Sequence, residues 1–178
     1  MKKTKLLLVI LYACISHGVI ADITEQPASS DYLVIQVNGI VCSFCAYGTE
    51  KNLRRLDFLD RTQYGDDGVL VDINEHTITL ALQRQMPVRY AQINAAILEG
   101  GYDPVAYYAM IQGVVSDGTD GYQLVNEDNG QIYLLPNTPK PTLQAGQNVV
   151  IRTILDPQQV GSLTGEQIIR LSSVEYQL

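Results

Sequence analysis

Apolar and polar positions change period several times along this chain, and each change marks an element. Tyr32-Leu33-Val34-Ile35-Gln36-Val37 is a β-branched run closed by Asn38-Gly39, which predicts a strand and a turn. Beyond Cys45 the period becomes helical. Thr49, Leu53 and Leu56 lie four, eight and eleven residues on, so all four positions share one helical face. Lys51, Arg54 and Arg55 take the other side, the two arginines in the last turn, where positive charge complements the helix dipole. From Asp57 to Asp67 the pattern lapses into an acidic connection. Val69, Val71 and Ile73 then alternate, Asn74-Glu75 turns the chain, and Ile78, Leu80 and Leu82 return. Pro87 opens a second helix with Tyr90, Ile93, Ala96 and Ile97 as its apolar stripe, and Gly100-Gly101 ends it. A further strand runs from about Val105 to Val115.

The order is β-α-β-β-α-β, the split βαβ or ferredoxin-like arrangement. Alternating chain direction brings three loops to one end: the loop after the first strand, the Asn74-Glu75 turn, and Gly100-Gly101-Tyr102-Asp103. From Gln112 onward no helical stripe is visible. Short strands centred on Gly113–Val115, Tyr122–Val125, Gln131–Leu135, Asn148–Ile154 and Ile168–Val174 alternate with glycine turns. Five strands in so short a stretch predict a small barrel of OB-like type. The expected fold class is α+β: a ferredoxin-like domain over 32–111 and an all-β domain over 112–178, with no flexible linker between them.

The first residues look like an export signal. Lys2, Lys3 and Lys5 precede a short apolar run from Leu6 to Ala13, and Val19-Ile20-Ala21 suits cleavage. That run is too short to span a bilayer, which takes about 20 residues. The expectation is a signal peptide over 1–21, a polar linker over 22–31, and a periplasmic mature protein. Leu11-Tyr12-Ala13-Cys14 offers the alternative of a lipid anchor through Cys14. The chain of 178 residues has a formal charge of −7. Removing three lysines leaves nine lysines and arginines against nineteen acids, or −10. Such a surface disfavours nucleic acid and anionic membranes.

Candidate chemistry is concentrated in Cys42-Ser43-Phe44-Cys45, where the first strand gives way to the first helix. Helix N-termini favour thiolate, because the dipole and free N–H groups stabilise negative charge. Two thiolates without other evident ligands suit soft ions of low coordination number, above all Cu(I), with Hg(II) admitted by the same argument. Zinc would want four ligands. His76, just past the hairpin turn, is an auxiliary candidate, against its reading as a solvated turn residue. In an oxidising compartment the same cysteines could instead form a disulfide. Asp66, Asp67, Asp117, Asp120 and Asp128 lack the spacing of a calcium loop and fit turn chemistry. Tyr122 and Tyr133 could form a stacking face for nucleic acid or sugar, but the negative charge opposes the first and packing in a small barrel is the default reading.

Gly39-Ile40-Val41-Cys42-Ser43-Phe44-Cys45 resembles the G-x-x-C-x-x-C loop of heavy-metal-associated (HMA) domains, the copper-chaperone type. Leu53 and Leu56 fall at that family's helix-one core positions, and the segment Ile93 to Tyr102 is similar to its helix-two signature ending in Gly-Tyr. The resemblance covers about residues 32–110. It implies a ferredoxin-like fold, Cys42 and Cys45 as ligands to a soft metal ion, and Tyr102 beside the loop, shielding or tuning the ion. The implied partners are the ion and a membrane metal transporter or other envelope protein. The sequence departs from the family at Val41, Thr49 and Asn52, where small, hydroxylated or apolar residues are usual.

Three function classes follow: a soft-metal carrier or sensor, a thiol–disulfide oxidoreductase using the same cysteines, and a non-catalytic envelope adaptor. A single histidine beyond the signal, with no phosphate loop or paired-carboxylate site, argues against most nucleophile–base enzymes.

Overall fold

The computed structural model describes residues 31–40, 43–119, 121–136, 143–161 and 168–177, with 43–45 and 177 described by backbone alone. The protein is mixed α+β, with nine strands in one hydrogen-bonded sheet and three helices among the described residues. The elements run β1 (Tyr32–Asn38), α1 (Ser43–Leu53), β2 (Val69–Asp72), β3 (Thr77–Ala81), α2 (Tyr90–Glu99), β4 (Asp103–Gly118), β5 (Gly121–Val125), β6 (Ile132–Leu134), β7 (Asn148–Leu155), α3 (Pro157–Gly161), β8 (Ile168–Arg170) and β9 (Glu175–Gln177).

The first four strands lie in the order β2-β3-β1-β4, all antiparallel to their neighbours. Leu33, Ile35 and Val37 of β1 and Ile78 and Leu80 of β3 are fully buried. They belong to one core with Leu53 of α1 and Ile93 and Ile97 of α2. Full burial of each such side chain is worth about 1.5–3 kcal/mol, and period-2 alternation is what keeps all of them on one face.

β4 carries the rest. Over Asp103–Ala109 it pairs with β1, over Tyr107–Val114 with β7, and over Val114–Gly118 with β5. Gly113 stands just before β5 takes over from β1. A Cβ there would meet the Val125 carbonyl oxygen at 2.5 Å, so only glycine lets the two backbones close up. β5 pairs with β6 and β6, in parallel, with β8, while β9 pairs with β7. The chain from β8 to β9 thus links the two outer strands of the β6-β5-β4-β7 path.

Three sequence expectations need correction. Ile168–Val174 is not one strand: its first part pairs with β6, and the chain then leaves to pair with β7 as β9. Two different partners demand the break, and Thr153 Oγ1 holds the crossing segment by donating to the Ser173 carbonyl at 2.6 Å. Gly113–Val115 is part of β4 rather than a strand of its own. The region beyond Gln112 also contains a helix, α3. Its signal was present: Asp156 caps it, its Oδ1 accepting the N–H groups of Gln158 at 2.8 Å and Gln159 at 3.3 Å, and Pro157 occupies the first helical position.

The second helix begins at Tyr90 rather than Pro87 because a distant side chain claims Val88. Buried Gln131 accepts from the Val88 N–H at 3.1 Å and donates to its carbonyl at 2.9 Å. Tyr133 donates to Gln131 Oε1 at 2.8 Å and also hydrogen-bonds Tyr90, which packs edge-on against Tyr107. Tyr107 in turn donates to Asn94 of α2 at 3.0 Å. This polar chain ties α2 to the strands that follow β4. Gln131→Ala should cost about 3 kcal/mol in urea unfolding, because it strands several buried partners at about 1–3 kcal/mol each.

Burial disfavours the phenolate, so Tyr90 is pushed up to about 12 and Tyr107 and Tyr133 are raised as well. Unfolded tyrosine ionises near 10, so the folded chain retains protons that the unfolded chain loses. Stability should hold below about pH 10 and fall between about pH 10 and 12, by up to about 1.4 kcal/mol per pH unit for each buried tyrosine. Tyr90→Phe should shallow that fall in alkaline denaturation.

Candidate functional site

The end of β1 is shaped by Gly39 at φ +95°, a left-handed conformation that glycine adopts freely, followed by fully buried Ile40. The chain enters α1 at Ser43, so Cys45 is the third residue of the helix. Cys42 and the Cys45 side chain lie outside the described residues.

Two other loops meet this one. The His76 carbonyl accepts the Val37 N–H at 3.0 Å and Gln36 Nε2 at 3.2 Å, which pins the β2–β3 turn to the end of β1. Asp72 Oδ1 shapes that turn by accepting the N–H groups of Asn74 and Glu75 at 2.9 and 3.0 Å. His76 sits at φ +53° and is exposed. The third loop is the end of α2. The Tyr102 N–H bonds to the Ile97 carbonyl at 3.2 Å and the Gly101 N–H to Leu98 at 3.0 Å, with Gly101 at φ +85°. This pair of hydrogen bonds over a left-handed glycine ends the helix and turns Tyr102 inward. Its ring fills the space beside Gly39, with Cδ1 3.2 Å from where a Cβ would stand. Tyr102 and His76 are therefore both at the cysteine end, one buried and one in solvent.

The helices close against each other at the same end. A Cβ on Gly100 would overlap Thr49 Oγ1, with Thr49 Cβ at 2.7 Å. Asn52 Nδ2 donates to the Ala96 carbonyl at 3.4 Å. The two α1 departures from the HMA pattern thus form the contact with α2. Thr49 is fully buried, and neither its hydroxyl nor that of Tyr102 has a hydrogen-bond partner among the described residues. Burial pushes the Tyr102 phenol above its ordinary range, so it stays a protonated donor.

The described charged residues at the cysteine end of the β-α-β-β-α-β part are Asp72, Glu75, Glu99 and Asp103, all acids, whereas Lys51, Arg54, Arg55, Arg61, Arg84 and Arg89 lie toward the other end together with Asp31, Glu50, Asp57, Asp60, Asp66 and Asp67. Arg54 bridges Glu50 at 2.5 Å and Asp67 at 2.8 Å, so Asp67 serves an ion pair. Asp128 lies in a turn, its N–H held by Asn126 Oδ1 at 3.0 Å. Asp120 lies outside the described residues, and no group of three His, Cys, Asp or Glu that could hold a metal ion occurs among those described. Tyr122 is 41% exposed but Tyr133 is buried, which removes the stacking pair proposed from the sequence.

Comparison with known proteins returns nothing: no protein family, curated protein or solved structure matches the chain. No helix among the described residues is long and apolar enough to cross a membrane.

Gly100→Ala tests the helix contact under the site. Gly100 has ordinary helical φ of −75°, so the cost is overlap rather than strain. A loss of about 1–3 kcal/mol is expected in urea unfolding. Were Gly100→Ala as stable as the parent, the close approach of Thr49 would be refuted.

Proposed function

We propose that this protein is an exported soft-metal carrier or sensor, not an enzyme, that holds one Cu(I) ion between the thiolates of Cys42 and Cys45. Hg(II) is the alternative cargo. One observation carries the reading: the Cys-x-x-Cys motif falls between β1 and the first turn of α1, at the end where the β2–β3 turn and the Gly101-Tyr102 corner converge. Helix α1 favours negative charge at its start through its dipole and free N–H groups. Two sulfur ligands match the low coordination number of Cu(I).

The strand order β2-β3-β1-β4 with α1 and α2 supports a ferredoxin-like metal-binding domain over 32–111. The pairing of β8 with β6 and of β9 with β7 supports an OB-like barrel over 112–178, sharing β4 with the first domain. The export signal over 1–21 assigns the protein to the periplasm, or to a lipid anchor through Cys14. Its partner is then a membrane metal transporter or another envelope protein.

Native mass spectrometry of the reduced protein, offered Cu(I), should show one ion per chain. Cys42→Ser/Cys45→Ser should show none. Equal binding by the double variant would sink the proposal, and turnover of a disulfide substrate by the parent would favour the oxidoreductase instead.

A further inference from the structure

The described helices pack against one face of the sheet. Leu53 of α1, Ile97 of α2 and Val160 of α3 share a core with Leu33 of β1, Tyr107 of β4 and Ile151 of β7. Strand residues that alternate with these point to the opposite face. Cross-strand pairing sets Val34, Tyr108 and Ile154 in one row there, and Met110, Arg152 and Glu175 in the next. Between the rows lies a cleft of about 290 Å³. Its walls are Tyr32, at the start of β1, and the Ser173–Glu175 stretch that enters β9. Both walls are tied down: the Tyr64 ring backs Tyr32 at 6.1 Å, and Thr153 Oγ1 donates to the Ser173 carbonyl at 2.6 Å. A pre-formed, mainly apolar cleft with a few polar groups at one end is the usual form of a small-molecule site, and this one is at the small end of the common range of about 300–1,000 Å³.

The lining states what would fit. Tyr108, Met110, Val34 and Ile154 make an apolar floor, with the adaptable thioether among them. The charged groups gather at the β7–β9 side, where Arg152 and Glu175 stand opposite each other in register. One cation and one anion leave this end with no surplus of either sign, whereas the whole chain carries −7. A charged ligand would meet its own sign there as well as the opposite one. Arg152 offers only donors and Glu175 only acceptors, so a head that both accepts and donates satisfies the pair. We infer that this cleft binds a small uncharged amphipathic molecule, its ring or branched alkyl body on Tyr108 and Ile154 and its hydroxyl or amide head between Arg152 and Glu175. The site goes beyond the carrier reading and uses neither cysteine.

The test titrates the full chain with N-phenyl-1-naphthylamine, a neutral fluorescent probe, and displaces it with three molecules of one ring system. The probe should bind once per chain. Neutral 2-naphthol should displace it, and 2-naphthoate and 2-naphthylmethylammonium should each be weaker by about threefold or more. Glu175→Gln should narrow that gap for the naphthoate by removing the like charge. Ile154 is 49% exposed, so Ile154→Lys and Ile154→Ser should melt within a few degrees of the parent. Both should weaken the probe, the lysine by about tenfold or more because it sets a charge against the apolar body. Leu98→Lys, at an equally exposed position on α2 outside the cleft, should leave binding unchanged. The inference is overturned by a parent that does not bind, by equal loss in Leu98→Lys, or by a charged competitor that matches the naphthol. It is overturned too if binding weakens only in variants that melt far below the parent. A parent dimer in gel filtration that Ile154→Lys dissociates would overturn it in favour of a second copy on this face.

Discussion

The shared strand β4 is the constraint on which the rest of the molecule depends. It is long enough to take β1 on one side, β7 on the other, and then β5 where β1 stops. A strand hydrogen-bonded to different partners along its length cannot bend freely at the change of partner. The glycine near that point admits the new neighbour without breaking the ladder. Everything C-terminal to β4 therefore inherits its position from the sheet that carries the cysteine end. The Gln131–Val88 pair and the tyrosine chain behind it add a second attachment, this time to α2.

Helix α2 consequently has two jobs. Its start is held by side chains from the later strands, and its end forms the corner that lies beside the cysteine loop. Tyr90 and Tyr102 are both buried on this path, but their surroundings differ. The Tyr90 hydroxyl is hydrogen-bonded to Tyr133, whereas the Tyr102 hydroxyl has no partner among the described residues. Satisfied polar groups fix a packing arrangement, whereas Tyr102 is held by its ring packing beside Gly39.

Much of the first half was legible from its pattern because its elements are local and periodic. The β1 run, the Ile93-Ala96-Ile97 stripe and the Gly100-Gly101 stop lie as read, since each rests on period and turn chemistry within a few residues. The connection from Asp57 to Asp67 reads as an acidic loop, and its apolar anchors do not show in the pattern. Phe58 and Leu59 within it are fully buried, and Arg89 lies over the Phe58 ring at 4.8 Å. Two apolar residues without a period give no signal, so only the tertiary contact reveals them. The later strands were found but partly mispartitioned, because short apolar runs do not say which neighbour they pair with.

By itself the amino-acid sequence determined the order of the first six elements, the apolar stripe of α2, and the position of Cys42 and Cys45 at a strand–helix junction. Those follow from spacing along one chain. Helix α1 ends at Leu53, short of the Arg54, Arg55 and Leu56 that the pattern placed in it. Only the tertiary structure decided that Val88 is withdrawn from the helix by Gln131, and that the strand read over Ile168–Val174 stops at Arg170, the chain pairing again only from Glu175. It alone showed that the hydroxyls of Thr49 and Tyr102 are buried without acceptors among the described residues. Each of these depends on residues dozens of positions apart, where hydrogen-bond competition and close packing, not periodicity, set the outcome.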